Sequence, residues 1–166
     1  MGIKSKTKRL DVNYTPLQIS GSIEVVGSVP DRQIYSSDVK EYTPDYTLTP
    51  LVLFPRCNAT DPDSYLKSGP VNASLTNMKW YQIIGTQRTL INSDNTDYEI
   101  TTEGDNKGQI KVKRNSSVSS PLAFEFYAEY VDTRTSQVYM FRMSTVIAVS
   151  DATLPAPILK LDSPAT

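Results

Sequence analysis

The sequence predicts an all-β protein, and three observations support this fold class. Apolar and polar residues alternate over several short runs, which is the pattern of strands that bury one face. Clusters of turn-forming residues separate those runs at nearly regular spacing. Eleven prolines are spread along the 166 residues, and because proline interrupts a helix interior, no long helix is expected.

The N-terminal segment, residues 1–16, is predicted to be a basic arm. It is polar, and four cationic side chains fall near its start: Lys4, Lys6, Lys8 and Arg9. Two interpretations remain open, a solvated tail and an arm that lies on an acidic surface of a partner. Because the whole chain has a net charge of −1, no overall field attracts it to nucleic acid, and no nucleic-acid partner is expected.

The remainder of residues 1–46 is predicted to be an extended lead-in with one strand near residues 17–26. In that strand every second position from Leu17 to Val25 is apolar or glycine. Residues 31–47 are polar, so we expect a crossing segment with little core of its own. It contains three tyrosines, which either contact a partner or cover the edge of the domain: Tyr35, Tyr42 and Tyr46.

Residues 47–150 are predicted to form one domain of about seven short strands. The clearest strands occupy these ranges: 48–57, 78–84, 98–102, 109–113, 122–130 and 138–149. A short piece at 88–91 is expected to pair back as a hairpin. Trp80 and three phenylalanines, Phe124, Phe126 and Phe141, are the expected large core residues, since burying each stabilises the fold by roughly 2–3 kcal/mol.

The polar loop at 58–77 contains two aspartates that suit either of two roles. Asp61 and Asp63 are calcium-ligating residue types at short spacing. Counted from Asp61, the loop has no glycine at the sixth position and no glutamate at the twelfth, where a calcium-binding loop requires them, and Pro62 lies between the two acids. The sequence therefore favours an Asp-Pro turn over a metal site.

The C-terminal segment, residues 151–166, is predicted to be a proline-rich, semi-rigid tail or linker. No apolar run in the chain reaches the length of a transmembrane helix, and the polar start lacks the apolar region of a signal peptide. We therefore expect no membrane insertion.

No catalytic residue, metal site or cofactor is predicted, and the protein is expected not to be an enzyme. The chain contains no histidine, which removes the commonest general base and histidine-ligated zinc. Its one cysteine, Cys57, can form neither an intrachain disulfide nor a redox pair, which favours a reducing compartment or a particle assembled in one. Glu125 and Glu129 would lie about 13 Å apart on one strand face, beyond the roughly 5–10 Å between glycosidase carboxylates.

These features resemble the immunoglobulin-like superfold over about a hundred residues. In this resemblance residues 48–57 correspond to the B strand, Trp80 to the core tryptophan, and residues 122–149 to the F–G hairpin. The strand at 126–130 lacks the second cysteine of antibody domains. The resemblance therefore implies an antiparallel β-sandwich of the disulfide-free kind, as in bacterial and phage modules.

A basic arm, a tyrosine- and proline-containing lead-in, one immunoglobulin-like module and a proline-rich tail are together similar to small virion proteins of tailed bacteriophages. That resemblance implies a structural protein that binds other virion subunits and itself, located in the virion. The alternative is a module of a bacterial surface protein. Such a module would bind a glycan or protein through loops 58–77 and 85–97. Tyr127 and Tyr139 are candidates for a carbohydrate-stacking platform, and a glycan signal that is lost on changing Tyr81 or Tyr127 would favour this alternative.

Overall fold

The computed structural model describes residues 13–152 of the chain. The predictions for Lys4, Lys6, Lys8 and Arg9, and those for the tail from residue 153 onward, lie outside the described residues. Within this range the all-β prediction is confirmed, since the regular structure consists of strands and one three-residue 3-10 helix.

Twelve strands and the 3-10 helix follow one another along the described chain. In order they are β1 (Gln18–Val26), β2 (Arg32–Ser36), β3 (Glu41–Thr43), β4 (Leu51–Thr60), β5 (Gly69–Pro70), the 3-10 helix (Asn72–Ser74), β6 (Thr76–Ile84), β7 (Gln87–Leu90), β8 (Tyr98–Ile100), β9 (Ile110–Val112), β10 (Leu122–Val131), β11 (Val138–Val146) and β12 (Ala148–Asp151).

The strands form three sheets. The first has the order β1-β4-β9-β8, with β5 also paired to β4, and the second has the order β11-β10-β6-β7. All pairs in these two sheets are antiparallel. The third and smallest sheet has the order β12-β2-β3, and its β12–β2 pair is parallel.

The first two sheets share one core. Along β10 every second residue from Leu122 to Ala128 is buried, and the Trp80 ring on β6 lies 5.0 Å from that of Phe126, centroid to centroid. The Trp80 indole N–H donates to the carbonyl oxygen of Gly108, which precedes β9, at 2.7 Å. Because a buried polar group needs a partner, this bond lets the tryptophan lie between the two sheets.

Residues that the sequence predicts to be a lead-in belong to the same structural unit. The strand β1 occupies the predicted range and pairs with β4 over its full length. Leu17 and Tyr46 are members of the shared core. The described structure therefore does not divide at residue 47, and residues 31–47 contribute two strands and a buried tyrosine, where a coreless crossing segment is predicted.

Candidate functional site

The first described residues lie at one end of the molecule, which we call the arm pole: residues 13–17, loop 61–68 and turn 132–137. The Leu17 N–H donates to the Tyr139 hydroxyl at 2.9 Å, near the start of β11. Arg134, in the turn between β10 and β11, donates to the carbonyl oxygen of Thr15 at 3.0 Å. The basic arm therefore joins the fold at this pole.

The last described residues lie at the opposite end, the tail pole: the third sheet, turn 45–49 and loop 113–121. After β11 ends, the Ile147 N–H donates to the Leu122 carbonyl at the start of β10. The Ala152 N–H then donates to the Tyr35 carbonyl on β2 at 2.8 Å. Since β11 spans eight residue steps of about 3.3 Å each, the two poles are about 26 Å apart.

A buried ion cluster, the Arg134 clamp, holds the arm pole together. The Arg134 side chain is only 5% exposed, and it contacts Asp61 and Asp132, each at 2.9 Å. Its guanidinium also lies 4.8 Å from the centroid of the Tyr14 ring. These contacts tie the chain at residues 14–15 to two separate loops. Arginine suits this role because its planar fork donates several hydrogen bonds in fixed directions.

The acids of the clamp are held in their charged form. Hydrogen bonds from Arg134 lower the pKa of Asp132, against the opposing effect of burial. Burial raises the pKa of Asp61, but backbone N–H groups of Leu66 and Asp63, together with Arg134, outweigh it and give a net lowering. The two acids in turn raise the pKa of Arg134, chiefly through hydrogen bonds from its guanidinium to Asp132.

The two aspartates of the calcium alternative are engaged with protein donors. The Asp61 carboxylate accepts the N–H of Asp63 at 2.9 Å, as in an Asp-initiated turn. The Asp63 carboxylate accepts the N–H and the hydroxyl of Thr15, at 2.9 and 3.0 Å. Among the described residues no group of three or more His, Cys, Asp or Glu side chains suits a metal ion. The contacts agree with the turn interpretation.

At the tail pole, a network of amide side chains fixes the third sheet to the core. The Gln33 amide donates to the Pro44 carbonyl at 2.8 Å and to Asn115 at 2.6 Å, and its oxygen accepts the Ser116 N–H. The Asn115 side-chain oxygen also accepts the N–H of Tyr46 at 2.8 Å. Gln33 is 1% exposed, so these bonds satisfy a polar group that would otherwise be costly to bury.

The three tyrosines predicted as partner contacts occupy different environments. Tyr46 is 0% exposed, and its hydroxyl donates to the Pro30 carbonyl at 2.7 Å. Tyr46 is therefore a core residue, and its side chain does not contribute to a partner-binding surface. Tyr35 and Tyr42 are half-buried on the face of the third sheet that carries Gln33, and their ring centroids lie 4.8 Å apart with the ring planes tilted by 44°.

The outer face of the second sheet carries Tyr81 and Tyr127, the two tyrosines whose substitution tests the glycan alternative. The guanidinium of Arg88 lies 3.5 Å from the centroid of the Tyr81 ring and pairs with Glu125. The Tyr127 hydroxyl donates to Glu129 at 2.5 Å, and this bond raises the pKa of Tyr127 and lowers that of Glu129. The carboxylates on this face are thus occupied by neighbouring donors.

The one thiol is inaccessible. Cys57 on β4 is 0% exposed, and burial raises the pKa of its thiol to about 12. A thiol that stays protonated at neutral pH is a poor nucleophile.

Sequence reasoning missed the residues that organise both poles. The sequence at 132–136 indicates only a hairpin turn, and no pattern distinguishes Arg134, Gln33 or Asn115 from other polar residues. The described residues include no helix long and apolar enough to cross a membrane. No family model, no curated protein and no solved structure matches this chain.

Proposed function

We propose that the two larger sheets form an immunoglobulin-like sandwich. The order β1-β4-β9-β8 corresponds to strands A-B-E-D of that fold, and β7-β6-β10-β11 corresponds to C′-C-F-G. Trp80 is buried on the strand that corresponds to C, where the fold has its core tryptophan. Cys57 lies on the B strand, and Phe126 packs on Trp80 from the F strand, where antibody domains carry a disulfide.

We further propose that this protein is a non-enzymatic structural component of a phage particle, which joins neighbouring virion subunits through its two ends. The observation that carries this proposal is the position of the first and last described residues, at opposite ends of the folded unit. The basic arm precedes residue 13 at the arm pole, and the proline-rich tail follows residue 152 at the tail pole. A module whose two connecting segments start about 26 Å apart can contact different partners at each end.

The points at which the two segments leave the folded unit are both held by hydrogen bonds, which supports the same role. The Arg134 clamp holds Thr15 against two loops of the arm pole. The parallel pairing of β12 with β2 holds the chain up to Ala152 at the tail pole. Ordering a bound segment costs roughly 1–2 kcal/mol of conformational free energy per residue. Because the chain is already fixed at Thr15 and Ala152, only the residues beyond these points incur this cost when a partner binds.

The test is fractionation of the source organism's lysate on a density gradient, followed by mass spectrometry. The chain is expected in the fraction of assembled particles, and its presence only in soluble or envelope fractions would contradict the proposal. Replacing the four arm cations, Lys4, Lys6, Lys8 and Arg9, by serine is expected to reduce incorporation. The control replaces Lys79 and Arg142, two cationic residues in the middle of the second sheet, between the two poles.

The alternative is a glycan- or protein-binding module of a bacterial surface protein. The observation in its favour is that Tyr81 and Tyr127 lie on the same outer sheet face, on adjacent strands. Against it, Arg88 covers one ring face of Tyr81. A glycan array separates the two functions, since a specific signal that Tyr127→Ala abolishes would favour the surface module.

A further inference from the structure

We propose that a cleft on the outer face of the third sheet binds the apolar tail, residues 154–161, of a second copy of this chain. The inference rests on the proposed function and names one partner of the tail. Reciprocal exchange of two tails between two clefts would give a closed dimer with the same contact on both subunits.

The cleft has a volume of about 410 Å³ and lies beside β2 and β3. Pro30, Ile34, Thr43, Pro44 and Ser150 are among the residues that line it. The Ile34 side chain is 50% exposed on the sheet face opposite to the buried Gln33. An exposed isoleucine between two prolines is the kind of apolar surface that a proline-containing peptide covers.

The exposed apolar side chains of the described residues concentrate at the tail pole. Seven of the twelve large ones belong to strand ends, turns and the small sheet of this pole: Val25, Val26, Ile34, Val39, Leu48, Val118 and Val146. At the arm pole the corresponding residues are fewer: Tyr65, Val131, Val138 and Met140. The tail pole thus exposes more large apolar side chains than the arm pole does.

The tail has the composition that such a cleft would bind. Fourteen residues follow Ala152, and four of them are large and aliphatic: Leu154, Ile158, Leu159 and Leu161. Pro155 and Pro157 favour the extended polyproline conformation, which loses little entropy on binding. At about 3.1 Å per residue a segment of this length reaches roughly 40 Å, enough to cross to a neighbouring molecule.

The direction of β12 favours a second copy over the molecule's own cleft. Because β12 and β2 are parallel, the chain arrives at Ala152 beside Tyr35, near the end of β2. The cleft lies along residues 30–34 and beside Ser150, which the chain has already passed when it reaches Ala152. The chain is therefore moving away from its own cleft, and Pro155 and Pro157 follow within a few residues.

The experiment is sedimentation of the full chain at micromolar concentrations, with two variants. Ile34→Asp disables the cleft, and the pair Ile158→Asp with Leu159→Asp disables the tail. The wild-type chain is expected to sediment as a dimer of twice its 18.5 kDa mass, and each variant alone as a monomer. An equimolar mixture of the variants is expected to form a weaker dimer, because one intact cleft meets one intact tail.

Val138→Asp serves as the control, since Val138 is 49% exposed at the arm pole, and this variant is expected to remain a dimer. Thermal midpoints establish that each variant is folded. A monomeric wild-type chain, or a dimeric Ile34→Asp variant, would overturn the inference. A mixture that stays monomeric even at concentrations well above those at which the wild type dimerises would also overturn it, because an intact cleft would then fail to bind an intact tail.

Failure of this inference is distinguishable from failure of the proposed function. A chain found in assembled particles but monomeric in solution would remove the tail exchange and leave the virion role standing. A chain that dimerises by tail exchange but is absent from particles would remove the virion role alone.

Discussion

Tyr46 gives the sharpest test of whether residues 31–46 belong to the folded unit. Its side chain is fully buried, and its hydroxyl donates one hydrogen bond of 2.7 Å to the Pro30 carbonyl. Tyr46→Phe removes that bond and keeps the ring. Because Pro30 is exposed, water can supply a replacement donor, so we expect a loss of only about 1 kcal/mol in the free energy of unfolding.

Tyr46→Ala removes the ring as well and leaves a cavity beside the core. For a buried aromatic the expected loss is about 3–5 kcal/mol, a large part of a typical total of about 5–15 kcal/mol. Thermal unfolding followed by circular dichroism measures both steps, with a fall in Tm of about 2–4 °C for each kcal/mol. Tyr42→Ala is the control, since that ring is only half-buried. If Tyr46→Ala unfolds within about 1 °C of the wild type, the lead-in is not part of the core.

Three further predictions concern the clamp, a glycine and the thiol. The lowered pKa of Asp132 stabilises the fold above the ordinary aspartate pKa, and this stabilisation is lost as pH falls through the folded value. Asp132→Asn is therefore expected to lower Tm by several degrees at pH 7 and to flatten the fall in Tm between pH 5 and pH 2, roughly the range over which such an acid titrates. Gly108→Ala should lower Tm more than Gly104→Ala, because both have positive φ but a Cβ at 108 would lie 2.8 Å from a proline ring. Cys57 should react with a thiol reagent only after unfolding, as measured by absorbance in native and denaturing buffer.

Much of the two larger sheets could be predicted from the sequence because the signals there are local. The residues of β10 alternate between buried and outward positions from Leu122 to Glu129, and a short turn joins the strand to β11. The core position of Trp80 follows from its size and its place in an alternating strand. In such strands the pattern of side chains alone fixes which face is buried.

The third sheet could not be predicted in the same way. Its strands β2 and β3 have only five and three residues, too few for an alternating pattern to be recognised. The partner of β2 is β12, at the far end of the described chain. Tyr46 follows Pro44 in a polar stretch. Its burial depends on the hydrogen bonds that it donates to Asn115 and to Pro30, and no local pattern reveals them.

The buried ion cluster around Arg134 at the arm pole could not be predicted for a related reason. Arg134 lies in a sequence of turn residues, where an arginine is ordinarily exposed. It is buried because Asp132 in its own turn and Asp61 from a distant loop both accept its hydrogen bonds. Charged side chains are buried only when paired, and pairing across loops is a property of the three-dimensional fold.

The distance between the two ends of the described chain tests the central claim most directly. Spin labels at Asn13→Cys and Ala152→Cys can be attached selectively, because Cys57 is buried. Double electron–electron resonance on the full chain is predicted to give a distance distribution centred at or beyond about 26 Å, the length of β11. A distribution centred well below the length of β11 would place both segments at one end and contradict the proposal of a two-ended connecting module.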